Sequence, residues 1–445
     1  MTHGKKIGFW TCTALVVGNT IGIGIFLLPA SLAPYGFNAL IGWAITVVGC
    51  MAMARVFARL ARELPNADGP YGYIRSTLGD VPAFMAIWAY WVSLWITNAA
   101  IATGVVGYVT AVVPELAGVK PAVLSLGLLW LFVIINLFGV RTGGGVQIVT
   151  TVLKLVPMVV VAGLGAWLLV RTPAVYVQQL PTTPISLNQL MAASTIALFA
   201  MLGLESATVP AGKVEDPGRT IPRATIVGAL LTAVIYIIVS TVPLLLIPQE
   251  QLARSSAPFA TLLDQYLGQG NGRWLALFVV ISGLGALNGW TLLVGELTRT
   301  MAVNGVLPAA LTRSNQRGAP AMPLLVTGVL ASVMVLMSYS RSLVDSFTLL
   351  TTVVTAANLP LYLFCALALA VMWSRGQKPA NRDLLVLAIP GAAYVVFAFI
   401  GLGSEPFWYA VLLAAAGLPV YALMRWQRAR ARMAAASNAT PPSKL

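Results

Sequence analysis

Gly18-Asn19-Thr20-Ile21-Gly22-Ile23-Gly24-Ile25-Phe26 lies in the middle of the first long apolar run of the chain, and its reading decides the fold. A helix that crosses a membrane closes its backbone hydrogen bonds within itself, because hydrocarbon offers no substitute partner. Gly22 and Gly24, two apart, weaken such a helix near its centre. A break at that depth is tolerated only where protein or a water-filled cavity surrounds it, so the stretch reads as the floor of a binding site. Close helix packing is the competing use of paired glycines, but it favours a spacing of about four rather than two.

The composition puts that run in a membrane. Of 445 residues, 58% are hydrophobic and 9% charged, with a mean hydropathy of +0.86; soluble domains carry about 25% charged residues. Crossing about 30 Å of hydrocarbon takes roughly 20 apolar residues. Twelve such stretches occur, at 10–32, 38–61, 82–113, 121–140, 146–170, 188–210, 223–247, 273–302, 322–340, 344–373, 383–402 and 406–426. An even number leaves both termini on one side. Of the Lys and Arg residues, 21 lie on the N-terminal side and 5 on the other, so the positive-inside rule predicts both ends in the cytoplasm of a bacterial-type inner membrane. This placement accounts for the formal net charge of +14 without a nucleic-acid partner. The first run continues into another span and is expected to stay in the mature protein rather than be cleaved. Cys12, Cys50 and Cys365 have no paired spacing, so neither a disulfide framework nor a metal site is expected, and no cofactor is implied.

Two charges fall at depth, Lys154 in the fifth span and Glu205 in the sixth, while Glu296 lies near the inner end of the eighth, within reach of Arg299. A charge at the bilayer centre costs roughly 2.5 kcal/mol or more, so intramembrane charges are functional candidates. The sixth span is itself interrupted, by Gly203-Leu204-Glu205, five spans after the first break. Interrupted helices at corresponding places in two halves point to a transporter of inverted repeats with substrate at the midplane. The expected fold is an all-α polytopic membrane protein with 12 transmembrane helices, in a 5+5 inverted-repeat fold with helices 1 and 6 broken. Residues 10–170 and 188–373 form the repeats, 383–426 two appended spans, 1–9 a cytoplasmic N-terminus and 427–445 a basic cytoplasmic tail, expected to be disordered and in contact with lipid. A short interfacial helix is expected after the loop at 63–73. Another is expected within 250–272, capped by its Ser-Ser-Ala-Pro start.

Gly22-Ile23-Gly24-Ile25-Phe26-Leu27-Leu28-Pro29 resembles the first-helix Gly-Ser-Gly-Ile-Phe motif of the amino acid, polyamine and organocation (APC) transporter superfamily. Phe199 with Gly203-Leu204-Glu205-Ser206, and Glu215-Asp216-Pro217-Gly218-Arg219-Thr220-Ile221-Pro222 after it, resemble the sixth-helix signature of that superfamily and the loop following it. The similarity covers spans 1–10 and is strongest to the basic amino acid/polyamine antiporters, such as the arginine/agmatine and putrescine/ornithine exchangers. It implies alternating access, with an amino acid or its amine as the small-molecule substrate and a homodimer as a common assembly. It also implies that backbone amides at Thr20, Ile21, Gly22, Ile23 and Gly24 hold the substrate carboxylate. Carbonyls at Phe199, Ala200 and Gly203 would hold the α-ammonium. The same resemblance places Ser93, Asn98 and Trp290 at the substrate side chain, with Asn98 on a polar head group and Trp290 over an aliphatic stem or cation. Tyr90, Lys154 and Glu205 would act in gating or proton linkage. Trp95 is a weaker candidate.

Three residues depart from the exchangers' pattern. Ile23 replaces a serine, Phe199 replaces a gating tryptophan, and Lys154 stands where those exchangers have no lysine. Related permeases do carry a fifth-helix lysine, filling the place of a sodium ion between helices 1 and 8. These departures keep a permease for neutral amino acids open beside the basic amino acid exchanger. A membrane enzyme would need a nucleophile, base or metal cluster at depth, whereas the sole histidine is His3 in the N-terminal tail and no carboxylates are paired. A channel would need polar or charged rings along a pore, and none is visible in the sequence.

Overall fold

The computed structural model describes residues 8–64, 67, 69–139, 144–203, 214–375 and 383–437. The regular structure of these residues is helical, with no strand among them, as expected where backbone groups must pair within their own segment. The first span is divided into α1 (Phe9–Thr20) and α2 (Gly24–Leu32). α3 (Phe37–Glu63), the short α4 (Gly69–Leu78), α5 (Asp80–Val112), α6 (Pro121–Leu137) and α7 (Gly144–Arg171) complete the first half. After a short α8 (Val175–Gln178), the second half opens with α9 (Leu187–Leu198) and a 3-10 turn, Phe199–Met201. It continues through α10 (Pro217–Leu246), the short helices α11 (Gln249–Arg254) and α12 (Pro258–Leu267), α13 (Asn271–Val303), α14 (Ala321–Met337) and α15 (Leu343–Ser374). α16 (Asp383–Gly401), α17 (Ser404–Ala415) and α18 (Gly417–Ser437) follow.

Each of the twelve expected spans has its helix or helix pair. Seven helical stretches are long and apolar enough to cross alone, and five are shorter. The two halves correspond in length: α5 and α13, third in each half, are both 33 residues, and α6 and α14, fourth in each, are both 17. The short helix expected between the second and third spans is α4, joined to α5 by Arg75 Nε donating to Asp80 Oδ1 at 2.8 Å. Both side chains are exposed, so that pair adds little stability.

Two expectations need correction. The short helix α12 starts at Pro258 on Ala257, without a side-chain cap; Ser255 Oγ bonds Thr261 Oγ1 at 2.8 Å instead. Proline at the first helical position needs no amide acceptor, which removes one reason for a cap. The basic tail is also helical through Ser437 rather than disordered from residue 427. Its Arg-Ala-Arg-Met-Ala run has high helix propensity, and Arg428 Nη2 donates to Gly305 O at 2.6 Å, tying α18 to the turn after α13.

Helix contact sets the layout. α5 packs along α15 and α13, while α3 packs against α10 and α9, and α1 against α10. The interrupted helices therefore lie between two groups of continuous ones. Small residues permit the approach: a Cβ on Gly42 of α3 would come 2.9 Å from Ser194 N of α9, and one on Gly49 would enter the Tyr394 ring of α16. At Gly401 of α16 the neighbours are the Met191 carbonyl and Thr195 Oγ1 of α9, and a carbonyl cannot rotate away. Gly127 of α6 has open space around it. Gly401→Ala should thus destabilise the protein by about 1–3 kcal/mol, read as a lowered thermal midpoint in detergent, while Gly127→Ala should leave the midpoint unchanged.

Candidate functional site

The first break spans Ile21–Ile23. Thr20 closes α1, Ile21 turns to an extended conformation (φ −73°, ψ 96°), and the first backbone bond of α2 runs from Phe26 N to Ile23 O at 3.1 Å. Gly24 and Ile25 precede that bond, so their amides belong to the unpaired first turn of a helix, where an anion is favoured. On the other side of the break, Tyr236 of α10 donates its hydroxyl to Thr20 O at 2.8 Å. A phenol thus takes over a carbonyl that the missing turn would have used. Deeper in α2, Tyr108 of α5 donates to Phe26 O at 2.6 Å.

The second break follows the same plan. The 3-10 turn at Phe199–Met201 ends α9, Leu202 is extended (ψ 149°), and Gly203 has φ +99°, in the region that favours glycine. Its helix end carries partial negative charge toward the space that the α2 N-terminus faces with partial positive charge. The two breaks touch, since a Cβ on Gly24 would lie 2.6 Å from Phe199 Cε1. Gly24 is therefore small because the Phe199 ring rests on it. Gly22 has nothing within 4 Å of its missing side chain and opens onto a cavity.

That cavity, of about 60 Å³, is walled by the two breaks and by α5, α10, α13 and α15. From the breaks, Thr20, Gly22, Ile23, Gly24, Phe199, Ala200 and Gly203 line it. From α5 come Tyr90 and Ser93, and from α13 the half-buried Trp290. Ile21 is absent from the lining; its side chain is buried in the core. The Ile23 side chain is also buried, in a notch between α5 and α13. A Cβ on Gly283 would come 2.9 Å from Ile23 Cδ1, and one on Gly104 3.5 Å from its Cγ1. The isoleucine that replaces serine thus packs into space left by two glycines.

Asn98 and Trp95 do not line the cavity, although both are buried. The lining residues of α5 are Tyr90, Ser93, Leu94, Thr97 and Ile101. At about 100° per residue Asn98 lies about 80° round the helix from the middle of that stripe. Lys154 is 6% exposed on α7, which packs against α13 and α10, and it forms no ion pair among the described residues. It does not line the cavity. Glu205 lies outside the described residues. Glu296 is exposed and 3.9 Å from Arg299, a surface pair one helical turn apart.

Three polar lining residues escaped the sequence reading: Thr97, Tyr236 and Asn358 of α15. Thr97 was legible as the i+4 neighbour of Ser93 on the Tyr90 stripe. Tyr236 and Asn358 are isolated polar groups in apolar spans, and only packing aims them at the breaks. The hydroxyl hydrogens at the site are largely committed: Ser93 Oγ donates to Tyr90 O at 2.7 Å, Thr97 Oγ1 to Ser93 O at 2.8 Å and Thr20 Oγ1 to Val16 O at 2.8 Å. What these oxygens still offer is lone pairs.

Two interrupted helices whose oppositely polarised ends meet at a cavity define a secondary transporter of the inverted-repeat class. The profile of the family described as amino acid permease matches residues 7–426, and the chain belongs to that family. It is 33% identical over 436 residues to a provisionally named arginine/ornithine antiporter of Bacillus subtilis (strain 168), covering 90% of this chain and 92% of the relative. It is 30% identical to the putrescine transporter PotE of Escherichia coli (strain K12), covering 94% and 96%. With the cadaverine/lysine antiporter of the same strain it shares 31% identity, covering 91% of each chain. The family is one of transporters rather than enzymes.

Tyr236→Phe tests the first break. It leaves Thr20 O buried without its donor, which should cost about 1–3 kcal/mol and lower the thermal midpoint. The same change at Tyr176, whose hydroxyl bonds Gly165 O at the half-buried end of α7, should cost less.

Proposed function

We propose that the protein exchanges a basic amino acid for an amine by alternating access, with both termini in the cytoplasm. The observation that carries this reading is the polarity of the cavity. One end presents the amides at the start of α2, suited to a carboxylate, and the α5 wall presents hydroxyl oxygens whose hydrogens are already used. An ammonium or guanidinium has donors only, so it complements Ser93 and Thr97 better than a ligand that needs donors from the wall. Trp290 adds an aromatic face for the same cation. An aliphatic stem would lie along Leu94, Ile101 and Val354, apolar residues of the lining. The relatives named for arginine/ornithine, putrescine and cadaverine/lysine support this substrate class.

Within this scheme the backbone groups at Gly22, Gly24, Ala200 and Gly203 hold the amino-acid end, and Phe199 covers it from the second break. Tyr90 stands at the α5 wall as a gate. Asn98, one position beyond Thr97 and off the lining stripe, reaches substrate only in a conformation that turns α5. Lys154, buried on α7 where it packs against α13 and α10, is the proton-linked group. Glu205 remains a gating candidate.

Counterflow in liposomes tests the function. Labelled arginine or ornithine should enter vesicles preloaded with arginine, ornithine, agmatine or putrescine, and not vesicles preloaded with alanine or nothing. Entry driven only by neutral preloads would overturn the reading. Thr97→Val should weaken a cationic ligand about tenfold, the loss expected for one charge-assisted hydrogen bond, with little effect on alanine. Lys154→Ala should abolish the response of uptake to an imposed pH gradient, and an unchanged response would remove its proton-linked role.

A further inference from the structure

At the end of the molecule where α3 stops and α10 starts, five arginines line one groove: Arg55, Arg59 and Arg62 on α3, and Arg219 and Arg223 on α10. The spacing puts each set on one helix face, three residues at i, i+4 and i+7 and two at i, i+4. The groove encloses about 610 Å³ and is open to the outside, and Ile226 and Leu387 of α16 provide apolar walls. Arg59 is paired with Glu63 at 3.0 Å. The other four make no ion pair among the described residues, although guanidinium groups are the side chains best matched to bidentate oxyanions. The groove also lies at the N-terminal end of α10, a 30-residue helix whose dipole favours negative charge there.

Both arginine rows continue into apolar stripes. Going along α10, the face carrying Arg219 and Arg223 passes through Ile226 to Leu230 (50% exposed) and Val234 (50%). On α3 the face carrying Arg55 and Arg59 leads back to Val48, 71% exposed. These exposed apolar stripes face hydrocarbon in a membrane protein, so the groove is polar and cationic at one end and greasy along its length.

We propose that this groove is a binding site for an anionic phospholipid, its phosphate held by Arg55, Arg62, Arg219 and Arg223 and its acyl chains laid along the α3 and α10 stripes. A lipid with two phosphates fits the number of uncommitted arginines best. The shared chemistry is the phosphate oxyanion, which a soluble polyphosphate also carries; the apolar stripes favour the lipid. Because α10 packs along the interrupted α1 and α3 along the interrupted α9, a lipid that bridges α3 and α10 ties together helices that flank the two breaks.

Native mass spectrometry of the full-length protein, released from nanodiscs of neutral lipid doped with cardiolipin, tests the site without any transport assay. The wild type should retain one cardiolipin, and Arg55→Gln with Arg223→Gln should weaken retention about fivefold for each arginine removed. Arg55→Lys with Arg223→Lys should keep most of it, and Arg341→Gln, on the opposite side, should keep all of it. Equal retention by the wild type and the glutamine double variant would overturn the proposal. In neutral nanodiscs, a rise in thermal midpoint with inorganic pyrophosphate equal to that with cardiolipin would also overturn it, by showing that the arginines bind a free phosphate. Failure of arginine counterflow would leave these outcomes untouched.

Discussion

At membrane depth a carbonyl or amide without a partner costs several kcal/mol, and the first span carries such groups where α1 ends and α2 begins. On the α1 side the fold supplies the partner itself, since Tyr236 reaches across from α10 to the Thr20 carbonyl. The amides at the start of α2 belong to the unpaired first turn of a helix and face the cavity. The carbonyl side of the break is thus closed by the protein. The position of α10 follows from this, because it must bring a phenol to one specific carbonyl.

The second break shares the problem and part of the solution. Phe199 lies on Gly24, so the two interruptions are in contact and cannot move independently without uncovering the ring or the glycine. Ile23 is locked in the Gly104 and Gly283 notch, which fastens the same stretch to α5 and α13. A backbone segment held on one side and touched by the Phe199 ring on the other gives a physical basis for alternating access, in which one group of helices rocks against another. In the proposed scheme the substrate would be the partner of the amides, with its opposite charge against the hydroxyl oxygens of α5.

Much of this was legible before any coordinates. The apolar runs located the spans, the glycines at 22, 24 and 203 located the breaks, and the motif at 199–222 gave the class. The candidate residues on the breaks could be named because backbone groups there are determined by chain position alone. Side chains were harder. Asn98 was chosen for its polarity, but helical phase turns it away from the cavity, while Thr97 next to it points in. Tyr236 could not be singled out among 13 tyrosines, since its role depends on a contact 216 residues away in sequence. The helical start of the basic tail was missed for a similar reason: Arg428 is held by Gly305, a partner that composition does not reveal.

Hydropathy, charge bias and glycine placement by themselves determined that this is a polytopic membrane transporter with two broken helices, because length and solvation constrain a chain locally. The tertiary structure decided which groups satisfy the breaks, which face of α5 meets the cavity, and that four uncommitted arginines from two helices share one groove. Those facts depend on the angles and offsets at which helices pack, and helix packing is set by side chains far apart in the chain.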